Sequence, residues 1–131
     1  MSKLTPSKQD YLEAILDLSV QGDPVRSIDV ANALGFSRAS VSRAISLLKA
    51  DGFIHQQPYG GITLTELGQK EAGKVRRRHD LLKYYLIHIL LVPEKTAEED
   101  ACRMEHVVSS TTLEQIEAAA THHMKEFHSG R

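Results

Sequence analysis

The segment SRASVSRAISLLKADGFIHQQPYGGITLT, residues 37–65, decides the fold of this chain. Its first half carries apolar residues at helical spacing, which predicts a helix from Ser37 to about Ala50. We expect the inward side chains of that helix to be Val41, Ala44, Ile45, Leu47 and Leu48. Two short β-prone runs follow, FIHQQ and ITLT, and the PYGG between them predicts that they pair as a hairpin.

Two further helices are predicted on the N-terminal side of this segment. Thr5 and Pro6 supply a capping hydroxyl and a proline at the first helical position, and the Gly-Asp-Pro at 22–24 ends that helix. Ser27 caps a short second helix that stops at Gly35. Helix, tight turn, helix and hairpin, in this order, are typical of a winged helix-turn-helix domain, which we place at residues 1–70.

The remaining residues, 71–131, are predicted to form an all-α second domain, so that the chain as a whole is mainly α. Thr65 caps a long helix that continues to Leu91, and Pro93 interrupts it. Two sequences resemble capping boxes that open the helices that follow: TAEE at residues 96–99 and TTLE at residues 111–114.

Composition excludes several classes of protein. The chain has 131 residues, of which 41% are hydrophobic and 25% charged, as in ordinary globular domains. Residues 1–78 hold 11 basic and 8 acidic side chains, whereas residues 79–131 hold 5 and 9. The most hydrophobic run, residues 81–92, is too short to cross a bilayer, and the N-terminus lacks a secretory signal. With one cysteine and hence no internal disulfide, we expect a cytoplasmic protein without membrane association.

The start of the third helix is the predicted DNA-reading surface. In a winged helix-turn-helix, the second helix of the pair enters the major groove by its N-terminal end. The stretch from Phe36 to Lys49 holds three basic residues and no acidic one. Arginine pairs with guanine edges, and arginine and serine both bind phosphates. The predicted contacts to double-stranded DNA are Ser37, Arg38, Ser40, Ser42, Arg43 and, at the hairpin tip, Tyr59.

A second set of residues has the chemistry of metal ligands. Cys102, Glu105 and His106 have the spacing i, i+3, i+4, which places a thiol, a carboxylate and an imidazole within one sector of a helix. Further ligand types occur elsewhere: Asp10, Glu13 and His79. Each has an ordinary explanation when taken alone, such as a solvated face or a packed thiol. If all six converge, they form a site for one or two divalent ions, and without metal their anionic groups repel one another.

At this point the chain resembles the diphtheria toxin repressor and manganese transport regulator family of metal-dependent transcription factors. The segments that carry the resemblance are DYLEAI, SRASVSRAISLLKADGFI, ITLTELG, RRHDLL and EEDACRMEHVVS. The resemblance implies that Asp10, Glu13, His79, Cys102, Glu105 and His106 line the metal site. It also implies that the long helix and the last two helices form a homodimer interface, and that the dimer binds a palindromic operator to repress metal-uptake genes.

The chain combines features of two branches of that family. At the position of Cys102, the manganese branch usually has a carboxylate and the iron branch has cysteine. At the position of Asp10, the iron branch usually has methionine. The iron branch also has an extra C-terminal SH3-like domain. Lys83 and Glu98 stand where the iron branch has the ligands of a second, ancillary site. A soft thiolate with hard carboxylates favours Fe(II), and Mn(II) is the alternative.

These patterns predict a metal-dependent DNA-binding repressor rather than an enzyme. The sequence contains no nucleophile motif, phosphate loop or HExxH, and no small-molecule substrate is expected. A metal-independent winged-helix regulator or adaptor, with the polar cluster as a structural network, remains the alternative. The histidines near the C-terminus, His122, His123 and His128, could bind metal weakly, but we interpret them as a frayed helix end.

Overall fold

The computed structural model describes residues 5–19, 22–58 and 60–129. It is mainly α-helical, as expected, and contains one small antiparallel sheet. The elements in chain order are α1 (Pro6–Leu18), α2 (Ser27–Leu34), α3 (Arg38–Ala50), β1 (Ile54–Gln56), β2 (Ile62–Leu64), α4 (Glu66–Tyr84), a π-helical turn (Tyr85–Ile89), α5 (Glu94–Met104) and α6 (Ser110–Ser129). The chain divides into two compact units between Lys74 and Val75, within α4.

The N-terminal unit is held by an apolar core beneath capped helices. The Thr5 hydroxyl accepts a hydrogen bond from the Lys8 amide (3.2 Å), and the Ser37 hydroxyl accepts one from the Ser40 amide (3.1 Å), so α1 and α3 begin as predicted. Side chains from all three helices and the hairpin are buried together: Leu12, Ile15, Val30, Val41, Ile45, Leu48 and Ile62. Each stabilises the fold by ~1.5–3 kcal/mol through loss of apolar surface from water.

The two strands pair as a hairpin, as predicted, and the hairpin is bonded to the segment just before α2. Ile54 pairs with Leu64, and Gln56 pairs with Ile62. Ile62 also exchanges two backbone hydrogen bonds with Val25, of 2.8 and 2.7 Å. A side chain at Gly61 would clash with Pro24, which accounts for glycine at that end of the loop. The wing is therefore fixed to the helices it follows.

The start of α4 is locked onto the turn that follows α3. The Thr65 hydroxyl accepts a hydrogen bond from the Gly68 amide (3.0 Å) and donates one to the Gly52 carbonyl (2.7 Å). A Cβ at Gly68 would overlap the carbonyl oxygen of Phe53, so only glycine permits this approach. The predicted cap of the long helix is confirmed, and it has a second role in holding the hairpin.

The C-terminal unit has its own smaller core. Apolar side chains from α4, the π-helical turn, α5 and α6 are buried there: Leu82, Leu86, Ala97, Ala101 and Ile116. The helix predicted to continue to Leu91 is α-helical only to Tyr84, and Leu91 itself has a positive φ of 61°. The Leu90 amide bonds to the Tyr85 carbonyl (3.1 Å), an i to i−5 bond that widens the helix.

Three predicted helix starts were wrong. The fifth helix begins at Glu94 rather than at Thr96, because Pro93 takes the cap position and its carbonyl accepts a hydrogen bond from the Ala97 amide. The last helix begins at Ser110, because the Ser109 hydroxyl caps it by accepting from the Thr112 amide (3.1 Å). Ser27 is the first residue of α2, and Arg26 holds the cap position without a side-chain bond.

One predicted core residue was also wrong. Leu47 is 49% exposed, whereas its neighbour Leu48 is fully buried. The two leucines are one residue apart and so point about 100° away from each other, and only one of them faces the core.

The helices among the described residues are too short or too polar to span a bilayer.

Candidate metal centre and DNA-reading surface

His79 is the centre of a polar cluster within the C-terminal unit. The ring lies on α4, is 4% exposed and has a carboxylate beside each nitrogen. Nδ1 is 3.2 Å from Oε1 of Glu105, and Nε2 is 2.6 Å from Oε2 of Glu98. A neutral imidazole has one donor nitrogen and one acceptor. Two carboxylate partners are therefore satisfied together when the ring carries both protons, when one of the carboxyl groups is protonated, or when a cation lies among these groups.

The Cys102 thiol faces the same ring. Its Sγ lies 3.8 Å from Nδ1 of His79 and 3.5 Å from Oε2 of Glu98. Glu98 precedes Cys102 by four residues on α5, so the two side chains share one face of that helix. One ligand atom from each of His79, Glu98 and Cys102 lies within 4.8 Å of the others, a spacing suited to donors that share one cation.

Glu105 completes the buried part of the cluster. It is 1% exposed, and burial of a carboxylate costs free energy unless a positive group compensates it. α5 ends at Met104, but Glu105 keeps right-handed helical geometry and its amide bonds to the Ala101 carbonyl (3.0 Å). The predicted spacing to Cys102 is thereby retained for one residue past the helix. His106 lies in the turn that follows and is half-buried.

The electrostatics of Glu98 show the positive field of its neighbours. Burial alone raises the pKa of this carboxyl. The hydrogen bond from Lys83 (3.2 Å), the charge on His79 and the hydrogen bond from Cys102 together outweigh that effect, and the pKa lies below its ordinary value. Glu98 is therefore ionised at neutral pH and presents an anionic oxygen to the ring and the thiol.

The chemistry of this donor set fits a divalent transition metal. Imidazole nitrogen, thiolate sulfur and carboxylate oxygen are ligands that iron, zinc and cobalt accept, and the carboxylates also suit manganese. Glu98 and Glu105 bring two carboxylates to one imidazole with a thiol beside it. A bound cation would offset the mutual repulsion of the anionic groups.

Within the C-terminal unit, the structure places three of the predicted ligands close to one another: His79, Cys102 and Glu105. Asp10 and Glu13 lie on α1 in the N-terminal unit, where both are half-buried and share one helical face. Their participation in the metal site stays a prediction. Glu98 was not among the predicted ligands, although its position four residues before Cys102 was a signal that could have found it.

The predicted DNA-reading residues lie on one exposed end of α3. The side chains described there are all exposed: Ser37, Arg38, Ser40, Ser42 and Arg43. The Ser37 hydroxyl also donates to the Ser40 hydroxyl (3.0 Å), so both serines take part in the helix cap. The opposite face of α3 is buried, which orients the arginines away from the core. Tyr59 lies outside the described residues.

α6 continues to Ser129, and two of the histidines on it have side-chain partners. The Tyr84 hydroxyl is 2.8 Å from Nδ1 of His123, and His122 pairs with Glu126 at 3.3 Å. The side chain of His128 lies outside the described part of the chain. The interpretation of this region as a frayed end therefore does not hold for residues 122 and 123.

Family models match nearly the entire chain. Residues 3–62 match the N-terminal DNA-binding domain of the iron-dependent repressors, and residues 65–130 match their metal-binding and dimerisation domain. The chain belongs to the iron-dependent repressor family. This family consists of transcriptional regulators, so the expectation of a DNA-binding regulator rather than an enzyme is confirmed.

Two individual relatives support the assignment of the chain to this family. An HTH-type transcriptional regulator of Methanocaldococcus jannaschii is 36% identical over 114 residues, covering 86% of this chain and 91% of the relative. The transcriptional regulator MntR of Salmonella typhimurium is 37% identical over 114 residues, covering 87% of this chain and 72% of the relative.

A solved structure described as a manganese-dependent transcriptional repressor in complex with manganese superposes with a TM-score of 0.79 at 29% identity. The match covers 87% of this chain and 52% of the solved chain, so the chain spans about half the length of that protein. The predicted winged helix-turn-helix and helical dimerisation domain are confirmed as the fold class.

Proposed function

We propose that this protein represses metal-homeostasis genes by binding a palindromic operator as a homodimer when a divalent metal is bound. The observation that carries the proposal is the His79 ring, which has a carboxylate at each nitrogen and the Cys102 thiol 3.8 Å from Nδ1. Carboxylates and a thiol around a buried imidazole are suitable ligands for a divalent cation. The N-terminal domain is the part of the chain that would bind the operator.

The proposed ligands come from both domains. His79, Cys102, Glu105 and His106 belong to the C-terminal unit, and Asp10 and Glu13 belong to α1. The bound metal supplies two positive charges that neutralise these anionic side chains. Metal-free protein keeps the repulsion between them, and this repulsion opposes their convergence. Metal concentration would thereby control how the two domains of each subunit are held.

The consequence for DNA binding follows from the geometry of operators. A dimer reads two half-sites about one helical turn, ~34 Å, apart. A dimer whose two DNA-binding domains are held at that spacing binds the operator tightly. A dimer in which the spacing varies binds it weakly. A coupling free energy of ~1–3 kcal/mol between metal and DNA would strengthen DNA binding about 5- to 150-fold.

Fe(II) is the proposed physiological metal, with Mn(II) as the alternative. The Cys102 thiol is a soft ligand that favours iron over manganese, whereas Glu105 and the two carboxylates of α1 suit both ions. The relatives include the manganese-dependent repressor described above, so both metals belong in the test. Elemental analysis of protein purified anaerobically measures the preference directly.

The test of this function is a metal titration of DNA binding with two variants, Cys102→Ala and Glu13→Ala. The duplex is selected from a random library by the wild-type protein in the presence of metal. Both variants are expected to require at least tenfold more metal for half-maximal DNA binding. Glu114→Gln, an exposed carboxylate on α6, is the matched control and should behave as wild type. Unchanged metal dependence in both ligand variants would reject the proposed site.

A metal-independent regulator is the second candidate, and one observation favours it. The His79 ring, the Glu98 carboxylate and the Lys83 ammonium group form a chain of polar contacts within the protein itself. In that case the polar cluster is a structural network, and metal-free protein binds the duplex as strongly as metal-loaded protein. The same titration, run on wild-type protein stripped of metal by a chelator, separates the two functions.

A further inference from the structure

Lys83 places a fixed positive charge at the edge of the candidate metal centre. It follows His79 by four residues on α4, so both side chains project from one face of that helix. Its Nζ lies 3.2 Å from Oε1 of Glu98 and 3.9 Å from Oε1 of Glu94. The side chain is 29% exposed, so this ammonium group is only partly surrounded by water.

The Glu98 carboxylate is divided between two environments. Its outer oxygen, Oε1, contacts the ammonium group of Lys83. Its inner oxygen, Oε2, lies 2.6 Å from His79 Nε2 and 3.5 Å from the Cys102 sulfur. The inner side therefore has three ligand types for a cation, whereas the outer side already has one positive charge.

The ammonium group has the electrostatic effect of a bound ion. Two carboxylates beside one another, Glu94 and Glu98, would otherwise offer oxygen ligands to a second divalent ion. An ion placed there would lie next to Lys83 and be repelled by it, and Coulomb repulsion at such short range is strong in partly buried surroundings.

We propose that Lys83 is a tethered cation that occupies the outer oxygen of Glu98 and restricts each subunit to a single divalent ion at this centre. The proposal rests on the proposed function, since it assumes that the inner groups bind a metal. It makes Lys83 a determinant of metal stoichiometry. Replacement by a carboxylate would remove the repelling charge and add an oxygen ligand in its place.

Equilibrium dialysis against Co(II) and Mn(II), with the bound metal measured by elemental analysis, tests this role on the full-length protein. Wild type should bind one ion per chain, and Lys83→Glu should bind two. Lys83→Gln, which removes the charge without adding a ligand, should keep one ion and bind it roughly tenfold more tightly, because a repelling charge is lost. Lys125→Gln removes an exposed lysine from α6 and should match wild type.

Cobalt absorption provides a second measurement that does not depend on DNA binding. Thiolate-to-cobalt charge transfer from Cys102 should saturate at one ion per chain in wild type and in both Lys83 variants. Two ions in the wild-type protein would overturn the role of Lys83. A single ion in Lys83→Glu together with wild-type affinity in Lys83→Gln would overturn it as well. Wild-type protein that binds no ion would instead overturn the proposed function on which this role depends.

Discussion

The two units of this protein bury different kinds of side chain. Among the described residues, the buried core of the N-terminal unit is aliphatic and aromatic, whereas both buried polar or charged side chains, His79 and Glu105, belong to the C-terminal unit. An apolar core is stabilised by burial alone and has no need of an ion. A core that contains an imidazole and a carboxylate depends on charge balance. The difference favours the proposal that the N-terminal unit binds DNA and that the C-terminal unit responds to a cation.

The largest expected effect concerns the apolar core. Leu48→Ala should destabilise the protein by about 2–5 kcal/mol, because it leaves a cavity among fully buried side chains. Leu47→Ala, its half-exposed neighbour on α3, is the matched control and should cost less than about 1 kcal/mol. Urea unfolding with and without metal measures both, and the difference between the variants should persist at every metal concentration. Equal losses for the two leucines would contradict the assignment of the core.

The second prediction concerns the polar core. Wild-type protein should gain about 2.7 kcal/mol of stability when metal is present at 100 times its dissociation constant. Glu105→Gln removes the buried anionic oxygen beside His79 and should lose most of that gain. Thermal unfolding at increasing Mn(II) measures the gain, with Glu114→Gln as the exposed control. A metal-induced shift of wild-type size in Glu105→Gln would remove this residue from the site.

The reading head provides the third prediction. Arg38→Ala and Arg43→Ala should each weaken binding to the selected duplex by about 1–3 kcal/mol, because we expect these exposed side chains to contact base edges. Lys49→Ala removes the same charge from the far end of α3, ~16 Å along the helix from Arg38, and should cost less. Fluorescence anisotropy at constant salt compares the three. A loss in Lys49→Ala as large as in Arg38→Ala would place the DNA contact elsewhere on the helix.

The smallest expected effect tests a feature that the two units share. Ser37 and Ser109 each cap a helix through a hydroxyl that accepts an amide hydrogen bond of 3.1 Å. Ser37→Ala and Ser109→Ala should each cost ~1 kcal/mol of stability. Only Ser37→Ala is expected to weaken DNA binding as well, since its cap starts the reading helix. A similar loss of DNA binding in Ser109→Ala would show that the cap effect is not local.

Local sequence signals predicted the N-terminal unit well and the C-terminal unit less well. Thr5, Ser37 and Thr65 cap their helices as expected, because a hydroxyl beside a free amide is a short-range interaction. α5 and α6 begin earlier than predicted, because Pro93 and Ser109 take the cap positions ahead of the capping-box sequences TAEE and TTLE.

The candidate site shows where local reasoning stops. The spacing of Cys102 and Glu105 follows from helical geometry, but their meeting with His79 joins residues more than twenty positions apart. That meeting was implied by the family resemblance and not by any periodicity. Glu98 was missed because it was interpreted only as a departure from an ancillary site. Lys83 lies beside Glu98, and its positive charge gives Glu98 an environment that the family resemblance did not predict.

The most direct test of the central claim is the affinity of one preparation of wild-type protein for the selected duplex, measured anaerobically before and after addition of Fe(II) or Mn(II). If a cation at the His79 cluster controls the reading heads, metal should strengthen binding about 5- to 150-fold, and a chelator should reverse the change. Equal affinity of the metal-free and metal-loaded protein would contradict the claim.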